Sequence, residues 1–422
     1  MQNQSGSSIP VFNVLQNKAF INVWCAGSLH EISRRTELLV LSLLIFQTTG
    51  SPFQLLLVLV FNNVPRPILS LIFGSIADRF NRWHVMLLAQ FANVITSGVV
   101  LGLIFYDVVQ PWQLYLALIM QGITKALEDP SRRTAILDIV GETKVVNALS
   151  LDQIGNTTGK IAGPFLAGLL VETMGFSEAY SFVLITHILA FGFVMRIKIP
   201  ERVIIRNQQQ VARGLWLSIK YALANPLLMG MLYITIIMNA VAFPAQQLIT
   251  AIGDTNLNVG ETLIGVLVAA EGVGPKFKFG AGLMAVSRNI QYHGRVFAIG
   301  STIVLIMGLM WAWSPWYVLT FCILILGGIG QSGFGTMQSS ITMLSAPQEL
   351  RGRMVGLMSF CIGVGTPIGG LEMGLLAAAL GSQWAISVNA VVGLALILPA
   401  MILTPLITGK TVEQRNPIPV PK

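Results

Sequence analysis

Charge is scarce in this sequence: Lys, Arg, Asp and Glu together make up 10% of its 422 residues. Soluble domains carry about a quarter charged residues, so an ordinary water-soluble globule is excluded. Cysteine is scarcer still. The three present, Cys25, Cys322 and Cys361, each fall in apolar stretches and offer neither a disulfide framework nor metal spacing. Four scattered histidines carry no zinc signature, and no nucleophile stands beside a base, so no metal site, no catalytic residues and no enzyme are expected. The first 19 residues lack a basic region followed by an isolated apolar run, and no cleavable signal is expected there. Strict alternation of apolar and polar residues is also missing, which excludes a membrane barrel.

What is present is hydrophobicity. Apolar residues make up 54% of the chain and mean hydropathy is +0.72. Long apolar segments recur from Phe20 to Thr404, and at about 20 residues per crossing they leave room for about twelve transmembrane helices. A net charge of +8 would suit nucleic acid, but its distribution argues for topology instead. Basic residues gather at Arg79 and Arg82, at Arg132, Arg133 and Lys144, from Arg196 to Lys220, at Arg288 and Arg295, at Arg351 and Arg353, and in the carboxyl tail. The intervening loops, 48–51, 106–111, 172–178, 254–261 and 314–316, hold no Lys or Arg. This is the positive-inside pattern; it places both termini in the cytoplasm of a multi-pass plasma-membrane protein and removes the case for a nucleic-acid partner.

The chain also repeats itself. At an offset of 206, Gly122 and Ile123 match Gly328 and Ile329, and Gly168, Leu169, Leu170 and Gly175 match Gly374, Leu375, Leu376 and Gly381. An internal duplication with both halves in one orientation follows. The expected organisation is a cytoplasmic lead at 1–19, a six-helix bundle at 20–198, a cytoplasmic linker with an interfacial helix at 199–225, a second bundle at 226–408 and a tail at 409–422.

Specific residues then carry a resemblance. Gly74, Asp78, Arg79 and Arg82, with Asn81 where glycine is usual, are similar to the signature that the major facilitator superfamily places between its second and third helices. In the fifth span Gly155, Gly159 and Gly163 recur every fourth residue, followed by Pro164, Ala167 and Gly168, and this resembles the motif the family associates with exporters. Asp129, Pro130, Arg132, Asn147, Ala148, Arg351, Gly352 and Arg353 add similarity to the branch of enterobactin exporters and macrolide efflux pumps. The resemblance implies an all-α fold of two six-helix bundles related by pseudo-two-fold symmetry, rocking around a midplane site. It further implies a monomer that exports a drug-like or siderophore-like small molecule through the lipid bilayer, without a cofactor, on the energy of a proton gradient. An importer or lysolipid flippase of the same fold, and a non-transporting sensor or scaffold, are the rival expectations. Leu118 stands where many drug antiporters of the superfamily carry arginine.

Physical reading of the residues adds candidate sites. Asp78 with Arg79 and Arg82, and Arg351 with Arg353, form a cytoplasmic gate in which charge-assisted bonds break as the site opens inward. The apolar run from Leu38 to Phe46 is nine residues, too short to cross, so the first span must take Glu31, Arg34, Arg35 and Glu37 into the membrane. Glu31, Arg34 and Arg35 share an arc of about 100°, and Glu37 pairs with Arg34 at three residues' spacing. Burial that favours the neutral form would let Glu31 carry a proton. Arg66 between two prolines is a candidate for an anionic group, Lys125, Glu128 and Asp129 snorkel to the cytoplasm, and Glu271 lies midway along its span. Asn239, Phe243, Gln246 and Gln247, interrupted by Pro244, line a cavity suited to an amphiphile. Lys160, inside the glycine stripe, is expected to be a counter-charge for the acids of the first or the fourth span.

Overall fold

The computed structural model describes residues 14–69, 81–141, 144–197, 219–273, 292–347 and 350–409. Gly74, Asp78 and Arg79 lie outside these described residues, as does most of the linker. The described residues are helical, with turns between the helices: α1 (Lys18–Thr49), α2 (Pro52–Asn63), α3 (Arg82–Phe105), α4 (Pro111–Val140), α5 (Val145–Met174), α6 (Phe176–Met195), α7 (Pro226–Thr255), α8 (Glu261–Val273), α9 (His293–Ala312), α10 (Tyr317–Leu344), α11 (Arg351–Leu380) and α12 (Ser382–Leu403). Eight of the segments are long and apolar enough to cross a membrane. The first span, α1, is held back by its charges, which leave no 18-residue window with two or fewer.

Short-range chemistry sets the starts. Ser51, Asn81 and Asn225 accept hydrogen bonds from the first free backbone N–H groups of α2, α3 and α7. Proline follows at the first helical position of α2, α4 and α7, where its missing N–H costs nothing. Two junctions repeat: Gly175 (φ 102°) joins α5 directly to α6, and Gly381 (φ 87°) joins α11 directly to α12. Both backbones are left-handed, a conformation open to glycine, and the two positions are the ones matched at the offset of 206.

The helices are inside out relative to those of a water-soluble protein. Along α3, Leu88, Phe91, Ile95 and Val99 form an exposed stripe at helical spacing, whereas Gln90, Asn93 and Ser97 are buried. On α6 Ile185, Ile188 and Leu189 face outward while Thr186 and His187 are buried. Such an arrangement is stable only when hydrocarbon surrounds the apolar face, so the fold is that of a multi-pass membrane protein.

Two compact units are present, Met1–Leu44 with Ile68–Arg206, and Ile45–Pro67 with Asn207–Lys422. In the first, Phe20, Val23, Met86, Ile136, Leu151 and Val194 form an apolar cluster. In the second, α11 packs on α2, where Gly370 and Gly374 admit Val60 and Phe53. That contact is why residues 45–67 group with the second unit. Helix α7 is interrupted earlier than Pro244 alone requires: a π-turn over Met238–Ala242 precedes a 3-10 segment over Phe243–Leu248. Pro244 has no N–H for the Ala240 carbonyl, and Gly369 of α11 lies against that carbonyl.

Candidate functional site

The glycine stripe of α5 is a seam with α1. A Cβ on Gly159 would lie 2.9 Å from the Glu31 Cβ, and one on Gly163 would lie 2.5 Å from the Arg35 Cβ. Gly155 sits against Ser28, the Trp24 indole N–H donates to the Leu151 carbonyl (2.9 Å), and the Thr36 hydroxyl donates to the Gly163 carbonyl (3.2 Å). Small residues bring the two backbones together, and this holds the charged residues of α1 in the interior. Pro164 lies inside a continuous helix, and Gly168 is buried beyond it.

On this frame sits a ladder of alternating charge. Glu31, fully buried, accepts from Arg34 (2.9 Å) and from Lys125 of α4 (2.7 Å), with Arg35 at 3.9 Å. Lys125 also meets Asp129 at 3.1 Å, Asp129 meets Arg132 at 3.6 Å, and Arg132 meets Asp152 of α5 at 2.7 Å. Positions 125, 129 and 132 share one face of α4, so the ladder follows the helix. Gly27 makes room for the Arg132 side chain. The sequence placed Glu31, Arg34 and Arg35 together as found. Snorkelling of Lys125, Glu128 and Asp129 to the cytoplasm was the competing reading; Lys125 and Glu128 instead find partners on α1 and α3, and Asp129 pairs with Lys125 and Arg132 on α4 itself.

Two further expectations give way. Glu37 does not pair with Arg34, which is taken by Glu31; it accepts from Tyr180 of α6 (2.6 Å) and Gln121 of α4 (2.8 Å) instead. Lys160 is not a counter-charge in contact: it makes no hydrogen bond or ion pair among the described residues. It stands beside the ladder, within electrostatic range of Arg35, Glu31, Arg34 and Lys125.

Sequence reasoning missed a second network on an adjoining face of α1. The His30 imidazole Nε2 lies 3.6 Å from the Glu128 carboxylate, and the His187 Nε2 lies 3.5 Å from that of Glu37. The two rings face each other with centroids 5.9 Å apart. Gln90 donates to Glu128 at 2.7 Å. All four titratable groups are buried, and neither carboxylate has a Lys or Arg nitrogen within 4.0 Å among the described residues. Four histidines spread through a sequence give no sign of this pairing, because 157 positions separate His30 from His187.

In the second unit Asn239 donates to the Thr235 carbonyl (2.8 Å) and accepts from Thr366 (3.2 Å), so its polar groups are engaged in packing. Gln246 and Glu271 line one small cavity of about 30 Å³ with Gln331, Trp311 and Met307, room for about two waters. Gln247 and Arg66 are half-buried, and Phe243 packs edge-on against Phe334. Of the expected gate, Arg82 is paired with Asp138 of α4 within the first unit. Arg351 donates to the Ala346 carbonyl at the start of α11, with Arg353 on the same turn. The short helix at 219–224, part of the expected interfacial segment, is tied to that corner by the Tyr221 hydroxyl, which donates to the Ser345 carbonyl (3.0 Å). Burial there pushes the Tyr221 hydroxyl above its ordinary pKa.

A profile of the family described as transmembrane secretion effector matches residues 9–422. The multidrug efflux pump Tap of Mycolicibacterium fortuitum is 23% identical over 354 residues, covering 80% of this chain and 84% of Tap. The uncharacterized MFS-type transporter YfiS of Bacillus subtilis is 28% identical over 143 residues, 34% of this chain, and the match spans only 33% of YfiS. Among solved structures, a POT family transporter in complex with a thioalcohol-conjugated peptide superposes with a TM-score of 0.76 at 10% identity, covering 92% of this chain and 96% of that one.

Proposed function

The chain belongs to the transmembrane secretion effector family of the major facilitator superfamily, and from that membership we propose that it exports an amphiphilic small molecule by alternating access. It is a membrane transporter, not an enzyme. In this reading twelve crossings form two six-helix bundles with both termini in the cytoplasm of a bacterial plasma membrane, and proton entry drives the export of a drug-like or siderophore-like compound.

The observation that supports it most is the ladder from Glu31 to Asp152. Five acidic and basic side chains stand in contact along α1, α4 and α5, and such groups within membrane helices are kept for binding, coupling or gating. The similarity to Tap, which is named a multidrug efflux pump, favours export over import. Glu31 acts here as the anchor of the ladder rather than as a mobile proton carrier, because two cations hold its oxygens.

Purified protein screened by thermal shift against antibiotics, siderophores and lysolipids tests the substrate class. Stabilisation by amphiphilic drugs or siderophores is the expected result. Stabilisation by lysolipids alone would replace export with lipid flipping.

A further inference from the structure

We infer that Glu128, His30, His187 and Glu37 form a buried proton-binding chain, and that this chain, not Glu31, carries the coupling proton of the transport cycle. The inference rests on the proton-driven reading above and names the groups that would perform it. Four observations support it.

Geometry comes first. Each imidazole sits 3.5–3.6 Å from its own carboxylate, and the rings lie 5.9 Å apart, a separation that one water or a ring rotation bridges. Satisfaction is the second: among the described residues, both nitrogens of His30 and of His187 lack a hydrogen-bond partner of normal geometry, although the rings are buried. Buried polar atoms left in that condition are costly and call for a reason. The third is charge. Glu37 receives two neutral donors, Tyr180 and Gln121, and Glu128 receives one, Gln90. Without a contacting cation, a bare carboxylate in this interior is expensive, so each Glu–His pair is most stable holding a proton between its members. The groups facing the chain from neighbouring helices are Glu31 and Arg34 on α1 and Lys125, Asp129 and Arg132 on α4. All five except Glu31 and Arg34 lie nearer the Glu128 end in sequence, and all are already paired within the ladder.

Direction is the fourth. His30 and Glu37 are seven residues apart on α1, which is about 10 Å along the axis at 1.5 Å per residue, a third of the hydrocarbon thickness. The chain therefore runs along the membrane normal rather than across it. A proton bound at Glu37 passes to one nitrogen of His187 while the other nitrogen releases its proton toward His30, and the same exchange delivers a proton to Glu128, the end nearer the cytoplasm, in the direction of proton entry. Only N–H and O–H bonds are made and broken, and one proton enters for each that leaves.

Nitrogen NMR of histidine-labelled protein in lipid, titrated from about pH 5 to about pH 8, tests the site without a substrate. The His30 and His187 signals are expected to titrate as a coupled pair, and Glu37→Gln is expected to displace the titration of His30 as well as that of His187. Independent titration of the two rings, or a His30 signal indifferent to Glu37→Gln, would overturn the chain. Proteoliposomes loaded with ethidium give the second arm. His187→Gln is expected to lower ethidium movement driven by a pH gradient about tenfold or more, while ethidium counterflow, which moves no net proton, persists. Equal loss of both would mean that the histidine only supports the fold, and equal retention would mean that the proton travels elsewhere. If wild-type protein itself ignores the pH gradient, the export reading fails, and the NMR titration alone still decides whether the chain binds protons as a unit.

Discussion

At the scale of single residues, the two charged groups the sequence left most open part company. Glu31 is fully buried and holds Arg34 and Lys125, so Glu31→Gln leaves two cations without their acceptor. Breaking a buried pair in this way costs about 3–5 kcal/mol, and thermal unfolding in detergent should show a marked loss of stability. Lys160 makes no hydrogen bond or ion pair among the described residues, so Lys160→Ala should leave that unfolding temperature nearly unchanged, within about 0.5 kcal/mol. Any effect of Lys160→Ala should fall on transport, read as a change in the rate for anionic against cationic amphiphiles. A large drop in unfolding temperature would show that Lys160 is held by contacts after all.

At the scale of elements, the glycine stripe of α5 proves to be a helix crossing with α1, and it has a twin. Gly365 and Gly369 on α11 stand 206 residues after Gly159 and Gly163, and they abut Asn239 and Ala240 of α7 as the α5 pair abuts Glu31 and Arg35 of α1. Gly159→Ala should therefore cost about 1–3 kcal/mol by overpacking the seam, with Gly369→Ala acting in the same direction. Gly192 of α6 has open space around its missing side chain, and Gly192→Ala should stabilise the protein by up to about 1 kcal/mol. Unfolding measurements on the three variants check the sign of each effect. Much of this was legible in the sequence. Four-residue spacing revealed the stripe, charge inside an apolar run marked α1, and the offset of 206 matched the two glycine junctions, Gly175 and Gly381. The partners of Glu37 and the meeting of His30 with His187 were not legible, because they come from α4 and α6, more than 80 positions away. Nor was the inward turn of Glu128: near the inner end of a helix, snorkelling and burial look alike until neighbouring helices supply Gln90 and His30.

At the scale of the whole molecule, apolar stripes outside and polar networks within make the bilayer part of the fold. The proposed orientation, with both termini on the cytoplasmic side, rests on the distribution of Lys and Arg. Tags at the two ends should both be cleaved by protease in inside-out vesicles and both be protected in right-side-out ones; opposite behaviour of the two tags would require an odd number of crossings. The central claim, export coupled to proton entry, is tested most directly by substrate accumulation in inside-out proteoliposomes with an acidic lumen. With one proton exchanged per monovalent cation such as ethidium, uptake should reach about tenfold accumulation per pH unit and collapse when a protonophore is added. Uptake that stops at equal concentrations and is unchanged by the gradient would contradict it.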